Sequence, residues 1–348
     1  MLQTSRRLIL AGIHPVWRSV MLLAMVLSAL LLWLASGFSV PLQLVGFSAQ
    51  LQGFVTIFLG IFIEALPFLF AGVIASSTIS LFVSPERVRR LSPRSPVLAA
   101  LVGAVLGLAF PVCECGSVPT ARRLMAKGAP VPLGIAFVLA APAVNPIVIA
   151  STWVAFSRWP LMVVGRIVLT IVIAMAVGLI LGLHPQSRTL LVPAGETEGG
   201  EDDQCDHHEH SPIAKGRLRA VALHASGEFF EMARYLVLGG LIAATLQTAI
   251  PRAALLALGQ GPVISVLVLI ALAVVLSICS TVDAFVALAF VGSFLPGAIL
   301  AFLVFGPMVD FKSVLMFTST FRRRTTALMV LLTLQMVLLA AVVINLYF

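Results

Sequence analysis

Val97-Leu-Ala-Ala-Leu-Val-Gly-Ala-Val-Leu-Gly-Leu-Ala-Phe-Pro-Val-Cys-Glu-Cys-Gly-Ser-Val-Pro-Thr-Ala-Arg-Arg123 is the stretch on which the fold turns. Its apolar part, 97–111, has 15 residues, and a helix that crosses a bilayer needs about 20. It lies between two basic clusters. Arg87, Arg89, Arg90 and Arg94 precede it, and Arg122, Arg123 and Lys127 follow it. Lys and Arg in short loops mark the cytoplasmic side, so a crossing here would strand one cluster outside. The simpler reading is a re-entrant hairpin that enters through 97–111, turns at Cys113–Pro119 and returns by Arg122. Non-helical backbone is tolerated at that depth where it is buried in protein or lines a cavity.

The rest of the chain supports a membrane setting. It has 348 residues, 60% of them hydrophobic and only 10% charged, with mean hydropathy +1.10. A soluble protein carries about 25% charged residues, which excludes a water-soluble enzyme and a disordered or nucleic-acid-coating protein. Apolar runs lie at about 16–37, 51–83, 131–157, 160–183, 228–250, 262–280, 284–306 and 326–347. The first, preceded by Arg6 and Arg7, reads as a retained span rather than a cleaved signal peptide. The expected fold is an all-α polytopic membrane protein. It has about seven full spans and two re-entrant or broken hairpins, with the N-terminus inside and the C-terminus outside. Arg188, Lys215, Arg217, Arg219 and Arg322–Arg324 then fall inside, and only Arg158 and Arg252 outside. The net charge of +8 is thus a topology signal, spread over short loops, and no nucleic-acid partner is expected.

The two halves resemble each other. Glu64–Gly72 aligns with Glu231–Gly239, Thr78 with Thr245, Pro111-Val-Cys113 with Ser277-Ile-Cys279, and Pro142-Ala-Val-Asn145 with Pro307-Met-Val-Asp310. Three crossings per half place the halves in opposite orientations. Inverted repeats with discontinuous helices are a transporter architecture, with the substrate site near the midplane. The alternative is a duplication kept for packing. The expected organisation is an N-terminal helix and loop at 1–50, a first half at 51–183, a cytoplasmic acidic and His-rich linker at 184–227, and a second half at 228–348.

Polar groups at membrane depth are costly and functional by default. Cys113 and Cys115 bracket Glu114 between Pro111 and Pro119. Thiolates are soft ligands that favour soft metals and metalloids, although free Cys also packs as a small hydrophobe. Pro142 and Pro146 interrupt a span around Asn145 and free backbone carbonyls. Substrate binding is therefore expected at Cys113, Cys115, Pro142, Asn145, Pro146 and Cys279. Proton coupling is expected at Glu114, Asp283, Glu64 and Asp310, with Lys312 partly neutralising Asp310. Glu231 and Arg234, three apart on one helix face, read as a structural ion pair. Cys205, His207, His208 and His210 form a metal-binding-like tract without closed-site spacing; weak exchangeable binding and a solvated linker are the two readings. No cofactor is expected. There is no Gly-x-x-x-x-Gly-Lys-Ser/Thr loop, so the chain does not hydrolyse ATP itself.

Pro111-Val-Cys-Glu-Cys-Gly-Ser-Val-Pro-Thr-Ala-Arg-Arg123, Lys127-Gly-Ala-Pro130 and Leu139-Ala-Ala-Pro-Ala-Val-Asn-Pro-Ile-Val148 resemble the predicted-permease family that includes YraQ and the organoarsenical efflux permeases (ArsP). The resemblance covers roughly 50–348. It implies a multi-span inner-membrane permease and, by its arsenical members, efflux of trivalent organoarsenicals. Cys113, Cys115, Pro142, Asn145 and Pro146 match its motif positions. A branch linked to copper and zinc efflux has a different second motif, which this chain lacks, although its His-rich loop is similar. The leading expectation is a proton-coupled secondary exporter of a soft, thiol-reactive solute. The alternatives are a permease for a divalent metal ion and a membrane thiol oxidoreductase. The partners expected are the lipid bilayer and a small-molecule or metalloid substrate, with room for a homo-oligomer.

Overall fold

The computed structural model describes residues 45–82, 84–109, 112–183, 214–249 and 261–347. The expected span at 16–37 and the tract Cys205–His210 lie outside the described residues. The chain forms two compact units, Met1–Gln52 and Gly53–Phe348, and apart from residues 45–52 everything below concerns the second.

The first half is built from α1 (Val45–Phe82), α2 (Pro85–Leu91), α3 (Pro96–Ala109), α4 (Glu114–Ala126), α5 (Val131–Val144), α6 (Pro146–Ala155) and α7 (Pro160–Gly182). The second half repeats the order with α8 (Ala214–Ala249), α9 (Ile264–Leu276), α10 (Asp283–Leu288), α11 (Pro296–Met308), α12 (Phe311–Thr320) and α13 (Arg323–Tyr347). Only α2 lacks a counterpart among the described helices. The molecule is all-α and polytopic, and six stretches of the described residues are long and apolar enough to cross a membrane. Two of these six are the paired helices α5–α6 and α11–α12, each interrupted near its middle. α3 and α9 are too short: 13 or 14 residues rise only about 20 Å, against a hydrocarbon core of about 30 Å. They are the descending arms of the two hairpins.

The run expected at 284–306 divides. Its start forms α10, the chain then turns at Gly292, where φ is +86°, and Pro296 opens α11. α8 begins at Ala214, within the stretch read as linker.

Packing follows from where the apolar faces lie. α5 is buried from Pro132 to Val144, and α11 along nearly its whole length. Helices apolar all round belong at the centre of a bundle. α1 and α13 instead face outward, with 22% of their spans buried against 78% for the two broken spans. α5 meets α11, and α7 meets α13. α4 packs on α12, while its counterpart α10 packs on α6. Each hairpin therefore rests on the lower arm of the other half's broken helix. This exchange is what a pseudo-two-fold relation between the halves produces.

Candidate functional site

Each half has a hairpin tip and a helix break, and one hydrogen bond joins them. In the first half Cys113 is the extended N-cap of α4. Asn145 is the N-cap of α6, where its Oδ1 accepts from the Val148 amide at 2.9 Å. The Asn145 Nδ2 then donates to the Val112 carbonyl at 3.4 Å. In the second half Asp310 caps α12 through a capping box with Ser313, accepting from the Ser313 amide at 2.6 Å. Ser277 Oγ donates to Asp310 Oδ2 at 2.7 Å. Caps of this kind satisfy the amides that a helix start leaves orphaned. Ser277 itself ends α9 in the left-handed region, φ 47°, a conformation that costs a non-glycine residue about 1 kcal/mol or more.

Between the tips lies a cavity of about 300 Å³. Cys113, Glu114 and Cys115 line it from the first hairpin, and Ser277, Ile278 and Cys279 from the second. Glu64, Gln247 and Lys312 complete its polar wall, and Ile57, Ile61 and Phe68 its apolar side. All three cysteines are free and buried. The side chains of Cys113 and Cys115 interact with each other, and Cys279 Sγ accepts from Thr281 Oγ1 at 3.4 Å. The cavity thus gathers three thiols, two from the first hairpin and one from the second.

The charges are arranged around Lys312. Its Nζ lies 3.5 Å from Glu114 Oε1 of the first half and 3.4 Å from Asp310 Oδ2 of its own. All three are buried, so a single ammonium sits between two carboxyl groups, one from each half. Behind the cavity Arg166 of α7 makes a bidentate pair with Asp283, at 2.9 and 2.7 Å. Arg166 also donates to the Thr152 hydroxyl at 3.0 Å and to the Ala143 carbonyl at 3.3 Å. That carbonyl is freed by the break at Pro142–Pro146, so the guanidinium serves the broken helix and the second hairpin together.

Cys113, Cys115, Cys279, Glu114 and Glu64 thus all line the cavity. Asp310 lies just behind it, holding Lys312. Asn145, Pro142 and Pro146 do not line the cavity; they build the break that anchors its first tip. Asp283 is bound to Arg166 and does not line it either. Glu231 pairs with Arg122 of α4 at 3.2 Å, which corrects the local pairing with Arg234. The Arg234 guanidinium instead stacks 4.8 Å over the Tyr235 ring. An i,i+3 contact on an exposed helix face is worth only tenths of a kcal/mol, and the neighbouring helix offers Glu231 a cation. Two groups escaped the sequence reading as site residues, Arg166 and Lys312. Arg166 carried a signal, being the only charged residue in the run 160–182.

Residues 50–346 match the model of a family described as "Predicted permease". The chain is 42% identical over 280 residues to "UPF0718 protein YcgR" of Bacillus subtilis (strain 168), covering 79% of this chain and 91% of that one. It is 34% identical over 269 residues to a Streptococcus mutans protein named "Putative two-component membrane permease complex subunit", covering 77% and 87%. No solved structure matches.

Proposed function

We propose, from the premise that this chain belongs to the predicted permease family, that it is a secondary permease exporting a soft, thiol-reactive solute. Trivalent organoarsenicals are the substrate class that suits the cavity. The observation that carries this reading is the convergence of Cys113, Cys115 and Cys279 on one cavity between the halves. An organoarsenous dihydroxide exchanges onto two thiols by forming two As–S bonds and releasing two waters, with no redox change. Cys113 and Cys115 supply that pair within one tip, and Cys279 faces them from the other half. Movement of one half against the other then passes the solute from thiol to thiol across the midplane.

Glu114 and Glu64 are the proton carriers of this scheme, and release is the reverse exchange, in which two waters cleave the two As–S bonds, leaving a hydroxyl on arsenic and a proton on sulfur at each. With the basic hairpin ends on the cytoplasmic face, transport runs outward through the inner membrane, with the N-terminus and the linker inside. The Streptococcus mutans relative is named as a complex subunit; by that analogy a second membrane component assembles with this chain.

The test is resistance to a trivalent phenylarsenical in a sensitive host. Wild type restores growth, and the double substitution Cys113→Ser/Cys115→Ser abolishes it at equal membrane abundance. Full resistance without both thiols sinks thiol exchange.

A further inference from the structure

Away from the cavity, one carboxylate is buried with half of its bonding capacity unused. Glu228 of α8 is 6% exposed. Its Oε1 accepts from Ser76 Oγ of α1 at 2.9 Å and lies 3.7 Å from Arg123 Nε of α4. Its Oε2 has no hydrogen-bond partner, and the buried Ser77 hydroxyl beside Ser76 has none either. An unsatisfied carboxylate oxygen in a low-dielectric interior is expensive and rarely kept for packing alone. The charged groups that face Glu228 are Arg122 and Arg123 from α4 and Glu231 from its own helix. Glu231 is already engaged with Arg122.

The location gives this carboxylate leverage. α1 and α4 cross at Gly72 and Gly116, where a Cβ on either would run into the other's backbone. Ser76 and Arg123 both reach Glu228, so the two helices run on from that crossing in the same direction. α4 carries Cys115 and Glu114 at its cavity end and Arg123 nine residues further on, about 14 Å along the axis. Glu228 holds the root of the helix whose tip bears the thiols.

We propose that Glu228 is the proton-loading residue that gates the first hairpin, an inference that rests on the permease reading above. As a carboxylate it holds Arg123, and with it α4, against α8. A proton taken at the open Oε2 removes that charge attraction, loosens the root of α4 and lets the Cys113–Cys115 tip move. Loss of the proton restores the hold. Proton binding and access to the cavity thiols are thereby one event.

The experiment measures N-ethylmaleimide labelling of Cys113 and Cys115 in membrane vesicles, in a Cys205→Ser/Cys279→Ser background, across pH. Because thiol ionisation affects both proteins alike, the readout is the ratio of the Glu228→Gln rate to the parent rate. At alkaline pH the variant labels several-fold faster. The ratio falls towards one as the parent's own Glu228 becomes protonated at acidic pH, and Glu228→Asp restores the parent profile. A ratio of one throughout overturns the gate, and so does a constant excess at every pH, the mark of a structural loosening. Should Glu228→Gln fail to assemble, Arg123→Gln on a half-exposed side chain serves instead. It labels fast at alkaline pH, and an unchanged rate overturns the latch. A gate seen here with no arsenical resistance would leave the gate standing and remove the substrate reading; the reverse result would remove the gate alone.

Discussion

The two hairpin tips have the same skeleton and opposite chemistry. In each, a side chain joins the tip to the break 33 residues further on: Asn145 to Val112 in the first half, Ser277 to Asp310 in the second. Yet the first tip presents two thiols and a carboxylate, while the second presents one thiol and places a lysine opposite. Lys312 is buried, whereas its counterpart Ile147 is 44% exposed. Along the third crossing, buried Thr170 and Thr333 occupy equivalent places, and on that register Arg166 corresponds to Met329. The same glycine step serves different neighbours, Gly72 against Gly116 of α4 and Gly239 against Lys312 of α12. The two halves thus share a frame and differ in a few charges that make them complementary, Glu114 of one pairing with Lys312 of the other.

This comparison breaks most sharply at Arg166. Arg166→Met gives the first half the residue of the second and strands Asp283, at a cost of about 3–5 kcal/mol. The thermal midpoint of the detergent-solubilised protein reads it, and Arg166→Met/Asp283→Leu recovers most of the loss. Lys312→Ile makes the second half copy Ile147. It leaves Glu114 and Asp310 without their cation, costing about 1.5–3 kcal/mol, and lowers transport more than it lowers the midpoint. Gly72→Ala and Gly239→Ala both force backbones apart, by about 1–3 kcal/mol each in the same melt. If the tips are equivalent, Asn145→Ala and Ser277→Ala each cost about 1 kcal/mol; a neutral Asn145→Ala would show that the first tip needs no anchor. Arg122→Gln, at a half-exposed pair, shifts the midpoint least, by at most about 1 kcal/mol.

The frame was legible wherever a local rule governs it. A run of 15 residues ending in Pro111 is too short to cross, and Pro142 and Pro146 announce a break around Asn145. The span expected at 284–306 was misplaced because apolar residues crowd both sides of Gly292-Ser293 and Pro296-Gly297 and mask the turn they make. The pairings were not legible, since Arg166 and Asp283 are 117 residues apart and Arg122 and Glu231 are 109 apart. Local spacing favoured Arg234 for Glu231, and only the packing of α4 on α8 decides otherwise. Cys279 was expected among the binding residues, but which side chains it would meet was not legible until the second tip brought it to the first. The lysine between the halves had been seen only as a neighbour of Asp310, because its second partner belongs to the other repeat.

In the proposed function, cavity thiols from both halves carry the solute and a proton gradient drives it. Uptake of a trivalent phenylarsenical into everted membrane vesicles, with and without an imposed proton gradient, tests it most directly. The expected result is gradient-dependent accumulation by wild type, none by Cys113→Ser/Cys115→Ser, and a reduced rate for Cys279→Ser. Accumulation by the double variant equal to wild type, or wild-type uptake indifferent to the gradient, would contradict it.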